Sequence, residues 1–146
     1  MIRAVLDCNV VLSAALTEGP CAEILARIRA PAGYDLVWSP PIVAECLRVI
    51  AYPKFAGRFR IDPRAAIERA AAAAHMVATE LLPAIDVVKA DPTDNVYIAT
   101  ALAGGAQWIV TGDKRHLPPH DGYAGLRIVL PAQFLEMLDS VGATHG

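Results

Sequence analysis

The sequence of 146 residues has no long hydrophobic run, no secretion signal and no paired cysteines. No stretch approaches the ~18 uninterrupted apolar residues that a membrane span needs. The first residues show no basic segment followed by an apolar run and a small-residue cleavage site. The three cysteines have neither zinc-ligand spacing nor a C-x-x-C pair, which favours free thiols in a reducing compartment. We therefore expect a soluble, cytoplasmic protein that is not exported and has no membrane partner.

An excess of charge of either sign is also missing. The chain has 13 Lys and Arg against 15 Asp and Glu, a net charge of -2, so nucleic acid could be bound only by a local basic patch. Hydrophobic residues make up 55% of the chain, which is enough for a real core. The length predicts a single domain over residues 1–146, with the core at about 2–139 and a tail at 140–146 that frays.

Short apolar runs alternate with helical patterns along the chain. The runs that predict strands lie at 2–6, 34–38, 84–88, 107–111 and 126–130. The patterns that predict helices lie at 20–30, 40–52, 63–82, 94–102 and 131–141. This alternation predicts an α/β fold, a three-layer α/β/α sandwich with a mainly parallel central sheet of about five strands.

Acidic residues follow three of the predicted strands. Asp7 follows the first strand, Asp91 and Asp94 the third, and Asp113 the fourth. Glu45 interrupts the apolar side of the helix after the second strand. Each acid alone is explained as a helix cap or a turn residue, but ligands of parallel sheets bind at the carboxyl ends of the strands, where these acids gather. A set of oxygen donors without His or Cys favours Mg²⁺ or Mn²⁺.

Four segments together resemble the PIN-domain nucleases, in particular the bacterial and archaeal branch described as toxins of toxin–antitoxin systems. They read VLDCNVV, SPPIVAECLRVI, DPTDNVYIATALAGGAQWIVTGDKRHL and LRIVLPAQFLEML, in the family's order, and span about Ile2 to Leu138. The resemblance implies hydrolysis of RNA phosphodiester bonds with one or two Mg²⁺ or Mn²⁺ ions.

The resemblance also assigns roles to particular residues. It carries the catalytic, metal-binding acids over to Asp7, Glu45, Asp94 and Asp113, with Glu45 acting through water or as a base. The supporting positions are Asn9, which can orient the Asp7 carboxylate, Asn95, Asp91 and Thr111, which matches a family Thr or Ser expected to bind metal water.

Two positions depart from the family's usual pattern. Cys8 stands where the family usually has Thr, so a hydroxyl is missing beside Asp7. Asn95 stands where many members have Asp, counting back from Asp113. Some branches use an Asp-Asn pair here, which favours Asp94 as the ligand and Asn95 as its helper.

Basic residues that could hold the RNA lie in two places. Lys114 and Arg115 directly follow Asp113. Lys54 and Arg58 belong to a connector with Tyr52, Phe55 and Phe59 interleaved. Such a stretch either holds phosphates and stacks bases or is a solvated connector whose aromatics pack inward.

Three other functions are alternatives to that of a toxin. A phosphatase of the haloacid-dehalogenase kind needs a second Asp where Asn9 stands, and a lysine before a late acidic pair, which the sequence does not show. A housekeeping RNA-processing nuclease and a catalytically silent binding scaffold stay open, although four retained acids argue against the scaffold. The resemblance further implies an antitoxin partner and a homodimer, formed through a helix face in 20–30 or 63–82.

Overall fold

The computed structural model describes residues 1–89, 91–113, 115 and 117–145, with side chains as far as residue 142 in the last helix. Within these residues the centre is a sheet of five parallel strands in the order β3-β2-β1-β4-β5. The strands are β1 (Arg3–Leu6), β2 (Asp35–Trp38), β3 (His75–Met76), β4 (Trp108–Val110) and β5 (Arg127–Val129). The inner strands are almost wholly buried, which is typical of a parallel sheet covered by helices.

In the described part of the chain, six α-helices connect and cover the strands. They are α1 (Cys8–Leu16), α2 (Pro20–Ala26), α3 (Pro40–Ile50), α4 (Pro63–Ala73), α5 (Asn95–Gly104) and α6 (Pro131–His145). Helices α1, α3 and α4 contact one another, and α5 contacts the three central strands β1, β2 and β4. The predicted α/β/α fold is confirmed, with a sheet that is parallel throughout. Among these described helices none is long and apolar enough to cross a membrane.

Local chemistry explains where the helices begin. Asp7 caps α1 by accepting the backbone amide of Asn9 at 3.2 Å. Asp62 caps α4 through two backbone amides, and proline occupies the first turn of α2, α3 and α4. Because these devices are local, the sequence predicts the starts of α2, α3 and α4 correctly.

The third strand is a correction to the sequence prediction. Residues 84–88 form no strand, and β3 instead lies at His75–Met76, inside the segment predicted as a helix to residue 82. Helix α4 ends at Ala73, and β3 pairs with the edge of β2. The apolar pattern at 84–88 was misleading because the amides of Val87 and Val88 bind a side chain, that of Asn95, rather than a neighbouring strand.

Other helices also differ from the prediction. Helix α1 was not identified, since its apolar residues continue the pattern of β1 without a break. Helix α2 ends at Ala26 rather than residue 30, where Arg29 adopts a left-handed φ of 59°. Helix α6 runs to His145, beyond the predicted end at residue 141.

Candidate active site

Asp7 lies at the carboxyl end of β1, where it is only 4% exposed. Its Oδ1 accepts the backbone amide of Asn9, and its Oδ2 accepts the hydroxyl of Thr111 at 2.6 Å. Burial raises the pKa of Asp7 above its ordinary value, and these hydrogen bonds partly oppose that shift. Asn9 thus contributes its backbone amide, while the residue itself is exposed.

Thr111 connects Asp7 to Asp113. The Thr111 hydroxyl donates to Asp7 and accepts the backbone amide of Asp113 at 3.0 Å. The Asp113 Oδ1 accepts the backbone amide of Arg115 at 2.8 Å. The end of β4 therefore holds both carboxylates in a fixed relation, with Thr111 fully buried between them.

Glu45 reaches the same rim from the middle of α3. Its Oε2 accepts the hydroxyl of Tyr97 at 2.9 Å, and that hydroxyl accepts the backbone amide of Cys8 at 3.3 Å. Tyr97 was not predicted as a site residue from the sequence. Its position three residues after Asp94 in one predicted helix was an available signal, because residues at that spacing share a helix face.

Asp94 lies among the other acids and is 8% exposed. Burial, followed by the charges of Asp7, Asp91, Asp113 and Glu45 in decreasing order, together raise its pKa to about 7. Its Oδ2 is buried and has no hydrogen-bond partner among the described residues. The fold thus brings all five predicted acids close enough to interact, and it leaves one buried carboxylate oxygen without a donor.

The side chain of Asn95 is fully occupied by structural hydrogen bonds. Its Oδ1 accepts the amides of Val87 and Val88 at 3.0 and 2.8 Å. Its Nδ2 donates to the carbonyls of Val88 and Pro92 at 3.1 and 3.0 Å. Asn95 therefore fixes the chain before Asp94 and does not point a free oxygen at the acids.

Asp91 has a similar local duty. Its Oδ1 accepts the backbone amide and the hydroxyl of Thr93, at 3.1 and 2.5 Å, and caps the 3₁₀ turn Pro92–Asp94. This turn delivers Asp94 to the start of α5. Asp91 is therefore a capping residue whose charge also reaches Asp94.

The donor set fits a divalent cation in its chemistry. Hard cations bind carboxylate oxygens, and an unpartnered buried oxygen surrounded by like charges is the environment that a cation would relieve. As the side chains are placed, no three His, Cys, Asp or Glu residues in the described part of the chain form a group that could hold an ion. The acids are therefore gathered at one rim without forming a closed cage.

Two grooves flank the acids. A groove of about 510 Å³ on the Asp113 side is lined by Asn9, Leu12, Ser13, Gly112, Asp113 and Arg115. A groove of about 400 Å³ on the Glu45 side is lined by Pro41, Ala44, Glu45, Arg48, Thr93 and Val96. Each groove thus combines one candidate catalytic acid with one arginine.

The predicted RNA-binding residues have different outcomes. Arg115 lines the first groove, as its position after Asp113 suggested. Lys114 lies outside the described residues. Lys54 and Arg58 are exposed on the connector after α3, where the Lys54 Nζ lies 5.1 Å from the centre of the Phe55 ring. Arg48, which the sequence analysis did not single out, lies nearer to the acids, with its Nη2 4.0 Å from Glu45 Oε1.

Comparison with protein-family models gives a match to the PIN domain over residues 3–115. The chain belongs to the PIN domain family, which confirms the resemblance seen in its motifs. PIN domains are typically nucleases that bind RNA and generally use divalent metals. No curated protein matches the chain.

Proposed function

We propose that this chain is an endoribonuclease that requires Mg²⁺ or Mn²⁺ and serves as the toxin of a toxin–antitoxin pair. The observation that carries the proposal is Asp94, a buried carboxylate with an unpartnered oxygen and a pKa raised to about 7 among four other acids. Such a cluster is costly without a counterion. Membership of a family of nucleases makes metal-assisted RNA hydrolysis the chemistry that best explains that cost.

In this proposal, some side chains bind one or two ions and others position those ligands. Asp7 and Asp94 are the proposed direct ligands, with Asp113 binding directly or through water. Thr111 positions the Asp7 carboxylate through a hydrogen bond to Oδ2, while Oδ1 accepts the longer bond from the backbone amide of Asn9. When bound, the metal lowers the pKa of its water and offsets charge on the scissile phosphate.

Glu45 has a proposed role on the water side of the reaction. The Tyr97 hydroxyl donates to one oxygen of Glu45, which fixes the orientation of the carboxylate. The other oxygen faces Arg48 at 4.0 Å, a distance that leaves it able to accept a proton or a water. This geometry supports Glu45 as a base or as a ligand through water. Because the acids do not form a closed cage as placed, metal binding requires their side chains to adjust.

A cleavage assay tests the proposal directly. We expect purified protein to cleave unstructured RNA in Mg²⁺ or Mn²⁺ and to lose that activity in EDTA. Asp7→Asn should abolish cleavage and weaken the rise in melting temperature on metal titration. Asp86→Asn is the matched control, since Asp86 is 80% exposed and pairs with surface Lys89 at 2.6 Å. Absence of cleavage on any RNA, together with an unchanged metal titration for Asp7→Asn, would refute the nuclease proposal.

The toxin role and its partners need separate tests. We expect expression in a bacterial cytoplasm to arrest growth and co-expression of an antitoxin encoded beside the gene to relieve the arrest. Unaffected growth despite cleavage in vitro would favour a housekeeping RNA-processing nuclease, and absence of both would favour a silent scaffold. The proposed homodimer would use a helix face within 20–30 or 63–82, where the structure has α2 and α4, and these two helices border a groove of about 340 Å³ lined largely by alanine. A monomer in light scattering would exclude the dimer.

A further inference from the structure

Cations and aromatic rings alternate along the end of α3 and the connector that follows it. In chain order they are Arg48, Tyr52, Lys54, Phe55, Arg58 and Phe59, and we call this set the 48–59 surface. The rings form a ladder, with centres 6.4 Å apart between Tyr52 and Phe55 and 6.2 Å apart between Phe55 and Phe59. Tyr52 is 36% exposed, and both phenylalanines are half-buried.

Each of the first two rings has its own cation. The Arg48 guanidinium lies 5.7 Å from the centre of the Tyr52 ring and donates to the Tyr52 hydroxyl at 2.5 Å. The Lys54 ammonium lies 5.1 Å from the centre of the Phe55 ring. These cations are exposed, so the cation–π contacts that hold them are weak and can be exchanged for other partners.

The 48–59 surface is continuous with the candidate active site. Arg48 lines the groove that also contains Glu45, and it lies one helical turn beyond Glu45 on the same face of α3. Tyr52 follows Arg48 by one further turn and is bound to it. A ligand in the groove beside Glu45 would therefore pass Arg48 first and then meet the exposed Tyr52 ring.

We propose that the 48–59 surface binds single-stranded RNA on one side of the scissile phosphate, with a base on Tyr52 and a phosphate on Arg48. This inference rests on the proposed nuclease function. Single-stranded RNA presents bases and phosphates in alternation, which matches the alternation of rings and cations. Base stacking on an aromatic ring is stronger than an exposed cation–π contact, so a base can displace the cation and free it for phosphate. A binding surface is also needed here, since the acids themselves repel RNA.

The experiment measures RNA binding apart from cleavage. A fluorescently labelled, unstructured RNA of roughly 12 nucleotides, within the range of single-strand binding sites, is titrated with protein in EDTA and followed by anisotropy. The test variants are Tyr52→Leu and Arg48→Ala. Tyr123→Leu is the control for the first, because Tyr123 is 39% exposed. Arg127→Ala is the control for the second, because Arg127 also lies 5.7 Å from an aromatic ring, that of Trp108, and its side chain is 59% exposed against 60% for Arg48.

We expect Tyr52→Leu to weaken binding roughly fivefold or more, the loss of one stacked base. Arg48→Ala should weaken binding and reduce the slope of log affinity against log salt by about one phosphate contact. Both controls should stay within about twofold of wild type, since neither removes a proposed RNA contact. RNA with abasic residues should bind wild type and Tyr52→Leu equally, which a merely misfolded variant would not reproduce.

Equal RNA affinity for wild type, Tyr52→Leu and Arg48→Ala would overturn the inference, even where these variants change the binding of a protein partner. Melting temperatures of all four variants show whether any loss of binding is a loss of folding. If the variants still cleave RNA and bind it as tightly as wild type, the proposed RNA-binding role of the 48–59 surface is refuted and the nuclease proposal stands. Selective loss of binding in a protein that cleaves nothing would refute the nuclease proposal and leave the RNA surface intact.

Discussion

Asp94→Asn should stabilise the metal-free protein while abolishing its cleavage. The pKa of Asp94 is raised from an ordinary value of 3.8 to about 7, so the folded protein keeps this proton at pH values where the unfolded chain has released it. The free energy of unfolding therefore falls as the pH rises from 3.8 to about 7, and above about pH 7 the loss stays constant. At about 1.36 kcal/mol for each pH unit, the penalty reaches at most roughly 4 kcal/mol. A neutral amide removes this penalty and supplies a donor beside the acids.

Denaturant unfolding in EDTA at several pH values measures the effect. We expect Asp94→Asn and wild type to differ little near pH 4, and the variant to gain stability progressively up to about pH 7. In thermal melts the gain corresponds to about 2–4 °C for each kcal/mol in a chain of this size. Added Mg²⁺ should narrow the gap, because an ion that binds only folded wild type stabilises it. The exposed-site control Asp86→Asn is measured under the same conditions.

A stability difference between Asp94→Asn and wild type that is the same at every pH would refute the reasoning. Such a result would mean that the substitution acts through packing rather than through the buried charge. A variant that is less stable at pH 8 than wild type in EDTA would contradict the placement of Asp94 among unrelieved negative charges.

Substitutions at three further positions test residues around the acids. Thr111→Val removes the donor to Asp7, so metal affinity in a calorimetric titration should fall about 10–100-fold. Thr111→Ser should restore that affinity. An unchanged metal affinity for Thr111→Val would exclude the role of Thr111 in positioning Asp7. Tyr97→Phe removes the hydroxyl that donates to Glu45 and accepts the backbone amide of Cys8, so the free energy of unfolding should fall by roughly 1–3 kcal/mol and cleavage should slow. Unaltered cleavage would count against orientation of Glu45 by Tyr97. Cys8→Thr restores the family's usual residue and should preserve or raise cleavage, whereas a sharp loss would reveal a function of the thiol.

The gathering of acids at one rim is the part of the site that the sequence predicts well. Asp7 and Asp113 follow β1 and β4, which are neighbours in the parallel sheet. The topology alone therefore brings them together, whatever the exact length of each strand. Glu45 could be recognised because a carboxylate on the apolar side of a helix has to meet a partner, and that partner proved to be Tyr97.

The third strand could not be predicted because a strand is defined by its partner. The apolar residues at 84–88 satisfy the local pattern, yet their amides find a side chain instead of a sheet edge. His75 and Met76 follow a strongly helical alanine run, yet they pair with the open edge of β2. In both places a contact distant in sequence overrides local propensity.

Asn95 connects the segment at 84–88, where the strand prediction was wrong, with the neighbouring residue Asp94. From the sequence, Asn95 stands where many members of the family have Asp, and it is predicted to assist Asp94. In the fold, its amide holds the amides of Val87 and Val88 and the carbonyl of Pro92 at once, a task that needs donors and acceptors on one side chain. A carboxylate could not donate to Pro92 or Val88, and it would add charge beside an Asp94 that already has a raised pKa. The Asp-Asn pair therefore separates two functions, with Asn95 fixing the backbone and Asp94 carrying the charge.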